Sequence, residues 1–117
     1  MPSFAAGQIV LADWRDGLPR EPNKLRPAVV VQDSDLFDPN YPNVILVPLS
    51  ENRLMVAADL SVAIEPTAEN GCTKLCYALS PSITATSVRR IRATDSRVLP
   101  VQLAEIRRQI GFAIGLE

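Results

Sequence analysis

Apolar residues gather in short β-branched blocks over residues 7–12 (Gly-Gln-Ile-Val-Leu-Ala), 28–32 and 44–48 (Val-Ile-Leu-Val-Pro), a pattern that predicts three strands. The third block is continuous enough to be buried on both faces. Residues 59–65 alternate instead, with Leu60, Val62 and Ile64 on one side and Ser61 and Ala63 on the other, as in a half-exposed strand. Asn70-Gly71 is a turn signal ahead of a further strand over 72–78. From Pro100 the period changes. Val101, Leu103, Ile106, Ile110 and Ile114 recur at helical spacing, with Gln102, Glu105, Arg107 and Arg108 opposite them, so one amphipathic helix closes the chain. Asp33-Ser34-Asp35-Leu36-Phe37 reads as a capped single turn and residues 38–43 as a loop. Five short strands and one terminal helix predict a mainly-β fold: a strongly bent antiparallel sheet or partly open barrel covered by a helix.

The connection from residue 13 to 24 is longer than a hairpin needs. It carries the only tryptophan, Trp14, which such surroundings place either in packing or under a nucleobase. At 117 residues and 47% apolar the chain supports one domain, residues 1–117, with a single core. The net charge of −1 excludes a global basic field, but the charges are unevenly spread. Cations outnumber anions over residues 15–26, six arginines face two acids over 89–108, and seven acids face Arg53 alone over 33–69. If the two basic segments meet in space, a polyanion can bind there; the alternative is ordinary solvated surface. Two cysteines and no histidine leave no zinc set and no disulfide framework, so both thiols read as small core residues of a reducing compartment. No apolar run approaches the ~20 residues of a membrane span and no signal peptide is evident, which predicts a cytoplasmic protein.

Lys24-Leu25-Arg26-Pro27 runs straight into the second strand block. An arginine at the mouth of a core strand presents a permanently charged, planar fork suited to a phosphate. Its structural alternative is to cap the strand or pair with Glu21. Without histidine, acid–base work would fall to carboxylates, hydroxyls or lysine.

Glu21-x-x-Lys24-x-Arg26-Pro27, Val47-Pro48-Leu49-Ser50 and Asn70-Gly71, framed by Gly7-x-Ile9-Val10 and a terminal Ile114-Gly115-Leu116, together resemble the MazF/PemK family of toxin endoribonucleases. The resemblance spans nearly the whole chain. It implies an SH3-like barrel of about five to seven antiparallel strands with a C-terminal helix, a homodimer, and metal-independent cleavage of single-stranded RNA, with no cofactor. It also implies a cognate antitoxin of the MazE/PemI kind. Arg26 falls on the family's catalytic arginine and Ser50 on its Thr/Ser hydroxyl after Val-Pro, while Glu21 matches an acidic position that accepts a proton or orients Arg26. Lys74 and Cys76 stand where some members have an arginine and an acid–base aspartate, which leaves the general base open between Glu21, another residue and water. RNA contacts are expected from Trp14, Arg15, Arg20, Lys24, Tyr41 and Lys74. Two rivals keep the same barrel: a CcdB-like gyrase poison, disfavoured because no tryptophan precedes Gly115, and a non-catalytic RNA- or protein-binding descendant.

Overall fold

A computed structural model describes residues 4–13, 25–51, 60–67, 70, 72 and 74–116. Among them are seven strands and a C-terminal helix: β1 Gln8–Asp13, β2 Leu25–Val30, β3 Asn43–Ser50, β4 Ser61–Ile64, β5 Cys76–Leu79, β6 Thr84–Ser87, β7 Ile91–Arg97 and α1 Pro100–Ala113. All pairings are antiparallel, in the order β4-β5-β3-β2-β1-β7, with β6 also on β3. The mainly-β architecture with its closing helix therefore holds.

Two cores lie on the two faces of the sheet. Val10, Ala12, Ala28, Val30, Val44 and Leu46, with Phe4 and the partly buried Val88 and Ile91, fill the concave side enclosed by β1, β2, β3, β6 and β7. Ile9, Val29, Val31, Val47 and Leu49 face the other way, against β4, β5 and Ile106 of the helix. Alternate residues of β1, β2 and β3 thus feed different cores, which is why these strands read as unbroken apolar runs.

Two prolines explain how the sheet is divided. Gly7 N–H donates to Val30 O at 2.8 Å on the β1 side, and Val31 N–H donates to Ile45 O at 3.1 Å on the β3 side. Even-numbered backbone groups of β2 therefore face β1 and odd-numbered ones face β3. Pro27 directs its donorless nitrogen toward β3, where the bonded register ends at Ala28 opposite Pro48. Pro48 in turn faces the far edge of β3, in the gap between Leu46, last to pair with β6, and Leu49, first to pair with β5. Pro48 thus removes no bond that the sheet uses, while Pro27 marks the end of the β2–β3 ladder.

Several boundaries differ from the sequence reading. β2 starts at Leu25, because β1 pairs with it as far as Asp13 opposite Leu25, so Arg26 lies inside the strand and Pro27 does not open it. β5 starts at Cys76; upstream, Asn70 organises a turn, its Oδ1 accepting from Thr67 and Cys72 N–H and its amide donating to Glu65 O. β6 and β7 are absent from the sequence pattern. Thr-Ala-Thr-Ser and Ile-Arg-Ala-Thr-Asp-Ser-Arg offer little apolar signal, since much of each strand stays accessible. The expected turn at residue 33 is present, with Asp35 N–H bonded to Asp33 Oδ1 and Leu36 N–H to Asp33 O.

The helix starts at Pro100, as its pattern predicts, but its inner face is rotated. Ile106 and Gln109 are buried, Leu103 and Ile110 are partly buried, and Val101 and Ile114 are exposed. Gln109 holds the helix down: its amide donates to Ser61 O at 3.1 Å, and its Oε1 accepts from Ser80 Oγ at 2.7 Å. Arg107 reaches across to Val31 O and Gln32 O, both at 3.0 Å, binding the helix to the end of β2. Leu116 N–H to Gly111 O and Gly115 N–H to Phe112 O, with Gly115 at φ +91°, form a Schellman stop.

Candidate active site

The β2–β3 register ends at Ala28 opposite Pro48, and Arg26 and Ser50 each lie two residues beyond it on these neighbouring strands. Both share the side-chain parity of Ala28 and Leu46, so they stand on one face of the sheet, at the end where its concave core gives out. Pro27 explains why the ladder stops just short of them. A Pro27–Leu49 pair cannot exchange both backbone bonds, because proline has no N–H. Ser50 is still held in place from its other side, paired with Tyr77 of β5. Tyr77 is therefore the cross-strand neighbour of Ser50. The sequence reading misses it, since a lone tyrosine amid Cys72–Leu79 carries no signal for that role.

Across the sheet, Arg26 lies opposite Ala12, and Ala12 opposite Ile91. This line brings the start of β7 to the same end. Here Arg89, Arg90 and Arg92 line a cleft of about 150 Å³ together with Asp13, Leu25 and Ile91. Of the two basic segments seen in the sequence, Arg26 from the first and Arg89, Arg90 and Arg92 from the second thus lie at one end of the sheet. The sequence assigns the arginines of the second segment no individual role; their one signal is three cations in four positions.

Lys74 belongs to this end as well. Its Nζ lies 3.8 Å from Glu51 Oε2, one residue beyond Ser50, with both side chains largely in solvent. Tyr41 does not. Its ring packs at a tilt against Phe37, 5.1 Å between centroids, ahead of the start of β3, with the whole strand separating it from Ser50. Trp14, Arg15, Arg20, Glu21 and Lys24 lie outside the described residues; the strand ends that flank them, Asp13 and Leu25, are paired beside Arg26.

On the opposite face of the sheet, Pro27, Glu51, Asn70, Cys72, Lys74 and Cys76 line a second cleft of about 250 Å³, with Ile9, Leu11, Thr94 and Ser96 beneath. Burial, the neighbouring Cys72 thiol and Glu51 push the Cys76 thiol up to about 11. Cys76 is thus a neutral thiol at neutral pH, unable to serve there as a carboxylate would. Among the described residues, no group of three Cys, Asp or Glu side chains is arranged to hold a metal ion.

Residues 5–114 match the family model described as PemK-like, MazF-like toxin of type II toxin–antitoxin system. The chain belongs to the MazF/PemK toxin family. Solved structures share the fold at low identity. An endoribonuclease from a Mycobacterial species, in complex with its cognate antitoxin, superposes with a TM-score of 0.76 at 19% identity over 98% of both chains. MazF from Deinococcus radiodurans gives 0.76 at 18% identity over 99% of this chain and 100% of its own. A MazE–MazF complex from the same organism gives 0.72 at 18% identity over all of both chains. No curated protein matches the chain by sequence. For a MazF/PemK chain, the functional interest falls on the sheet end where β2, β3 and β7 gather Arg26, Ser50 and the arginine cluster.

Proposed function

We propose that this MazF/PemK-family protein is a metal-independent endoribonuclease that cuts single-stranded RNA at short sequences and is silenced by a cognate antitoxin. The observation that carries the reading is the placement of Arg26 and Ser50 just past the last β2–β3 pair, at the sheet end that also holds three further arginines, on a chain whose family is that of toxins. In the proposed reaction the ribose 2′-hydroxyl attacks the adjacent phosphorus, the bond to the 5′-oxygen breaks, and the products carry a 2′,3′-cyclic phosphate and a 5′-hydroxyl. Negative charge gathers on the non-bridging oxygens. Arg26 opposes it with two fixed donors, and Ser50 Oγ donates to the same phosphate, holding the in-line geometry that an internal attack requires. Arg26 never gives up its own proton at working pH, so the 2′-hydroxyl proton goes to Glu21, another side chain or water.

The Mycobacterial relative is an endoribonuclease seen with an antitoxin, and the Deinococcus toxin is seen with MazE. By analogy, an acidic partner segment would occupy the arginine-lined end of the sheet and exclude RNA, with a second copy of the chain completing the groove. Purified protein incubated with a long single-stranded RNA in the presence of a chelator tests the proposal. Discrete fragments with cyclic phosphate ends are expected, and Arg26→Ala should slow cutting on the order of a hundredfold or more with the fold intact. Cutting at the parental rate by Arg26→Ala would remove the mechanism. Intact RNA together with trapped gyrase–DNA complexes would replace the nuclease with a gyrase poison.

A further inference from the structure

Both cysteines of the chain lie in one place. Cys72 and Cys76 are neighbours: both line the cleft that holds Lys74 and Glu51, and Cys72 is among the groups that push the Cys76 thiol up. Cys72 is half-buried, Cys76 is buried, and neither is in a disulfide. Cys76 also donates its S–H to Lys74 O at 3.5 Å. One residue after Cys76, Tyr77 pairs with Ser50.

We propose that Cys72 and Cys76 are a dithiol switch, which a peroxide closes to an intramolecular disulfide and a thiol reductant reopens. Cys72, the more accessible sulfur, attacks the peroxide as its thiolate. The O–O bond breaks, and Cys72 becomes a sulfenic acid as the first water leaves. Cys76 then attacks that sulfur, the S–O bond breaks, and hydroxide departs with the Cys76 proton as the second water. Two electrons leave the pair of sulfurs and reduce one peroxide. Burial, Cys72 and Glu51 hold the proton on Cys76, so Cys76 is the slower thiol toward peroxide and reacts second, giving up its proton only as its sulfur attacks the adjacent Cys72 sulfenic acid.

Closure has a consequence for the neighbouring site. The S–H that bonds Lys74 O disappears, and the segment carrying Lys74 is drawn in between the sulfurs. The Lys74–Glu51 contact, adjacent to Ser50, is then reset, so the oxidised protein cuts RNA more slowly. This functional half rests on the nuclease reading; the thiol chemistry does not.

The full chain treated with hydrogen peroxide should lose both titratable thiols and about 2 Da of mass while remaining free of intermolecular crosslinks, and dithiothreitol should restore both. Cys72→Ser, conservative at a half-buried position, should retain its remaining thiol under the same dose. Oxidised parent should cleave RNA about tenfold more slowly or worse, since an ångström of misplacement can cost on the order of a hundredfold, and Cys72→Ser should be indifferent to peroxide. Added oxygen mass without thiol pairing, or a crosslinked dimer, overturns the switch. A closed disulfide with unaltered cleavage overturns its effect on the site. Reduced parent that cuts no RNA removes the nuclease reading and the functional half with it, while thiol pairing by mass still judges the chemistry separately.

Discussion

Cys76 holds its proton to about pH 11 in the folded chain, against 9.0 for an unburied thiol. The folded state therefore binds that proton more tightly than the unfolded one. The resulting stability is complete below pH 9 and is lost as pH rises toward 11. Denaturant melts of the parent should show this alkaline loss, and Cys76→Ala melts should lack most of it; parallel curves for the two would show that another group carries the effect. Arg26→Lys separates charge from geometry. The ammonium keeps the cation but not the planar fork, so RNA affinity should change little while single-turnover cleavage slows at least about tenfold. The strands that carry Arg26 and Ser50 are legible in the sequence because each is a compact apolar block with a proline near its end, a local signal, whereas the roles proposed for the two side chains come from the family resemblance. Tyr77 and Gln109 are not legible in this way. Tyr77 gains its position from pairing with β3, and Gln109 reads as a solvent residue until Ser61 and Ser80 are folded against it.

At the scale of elements, the helix makes the sharpest predictions. Gly111 has an ordinary helical backbone, and a Cβ there would meet Leu116 Cβ at 3.6 Å, a normal contact. Gly111→Ala should therefore stabilise the protein by about 0.5–1 kcal/mol. Gly115, at φ +91°, is the opposite case, and Gly115→Ala should destabilise by about 1 kcal/mol or more. Thermal melts of the pair should move in opposite directions; a shared direction would contradict the assigned stop. Gln109→Leu removes the bonds to Ser80 Oγ and Ser61 O that hold the helix down and should cost about 1–3 kcal/mol despite its similar size. The helix is readable because five apolar residues keep one period, but two of them, Val101 and Ile114, fall outside the packed stretch. β6 and β7 are unreadable for a different reason. Their threonines and arginines satisfy a sheet through backbone bonds and tertiary neighbours, and neither leaves an alternating apolar trace.

For the whole molecule, a net charge of −1 conceals a polar division. Arg89 and Arg92 stand at the Arg26 end, and the acids of residues 33–38 follow the opposite end of β2. Affinity for single-stranded RNA should fall steeply with added salt. Arg89→Gln combined with Arg92→Gln should flatten the log–log slope by about 0.7 for each phosphate no longer neutralised, equally for RNAs of different sequence. An unchanged slope in a filter-binding titration would place the RNA elsewhere.

Pro48 has a longer reach than its missing hydrogen suggests. Because β3 changes neighbours at that residue, the β4–β5 hairpin hangs from the larger sheet by the last two residues of one strand, as a module with its own pairing rules. Side-chain packing makes up for that thin backbone tie, since Val62, Ile64, Cys76 and Ala78 share one core with Ile9, Val29 and Ile106. Ser50 sits on the thread between the two pairings, so any shift of the hairpin against the larger sheet reaches it directly through Tyr77.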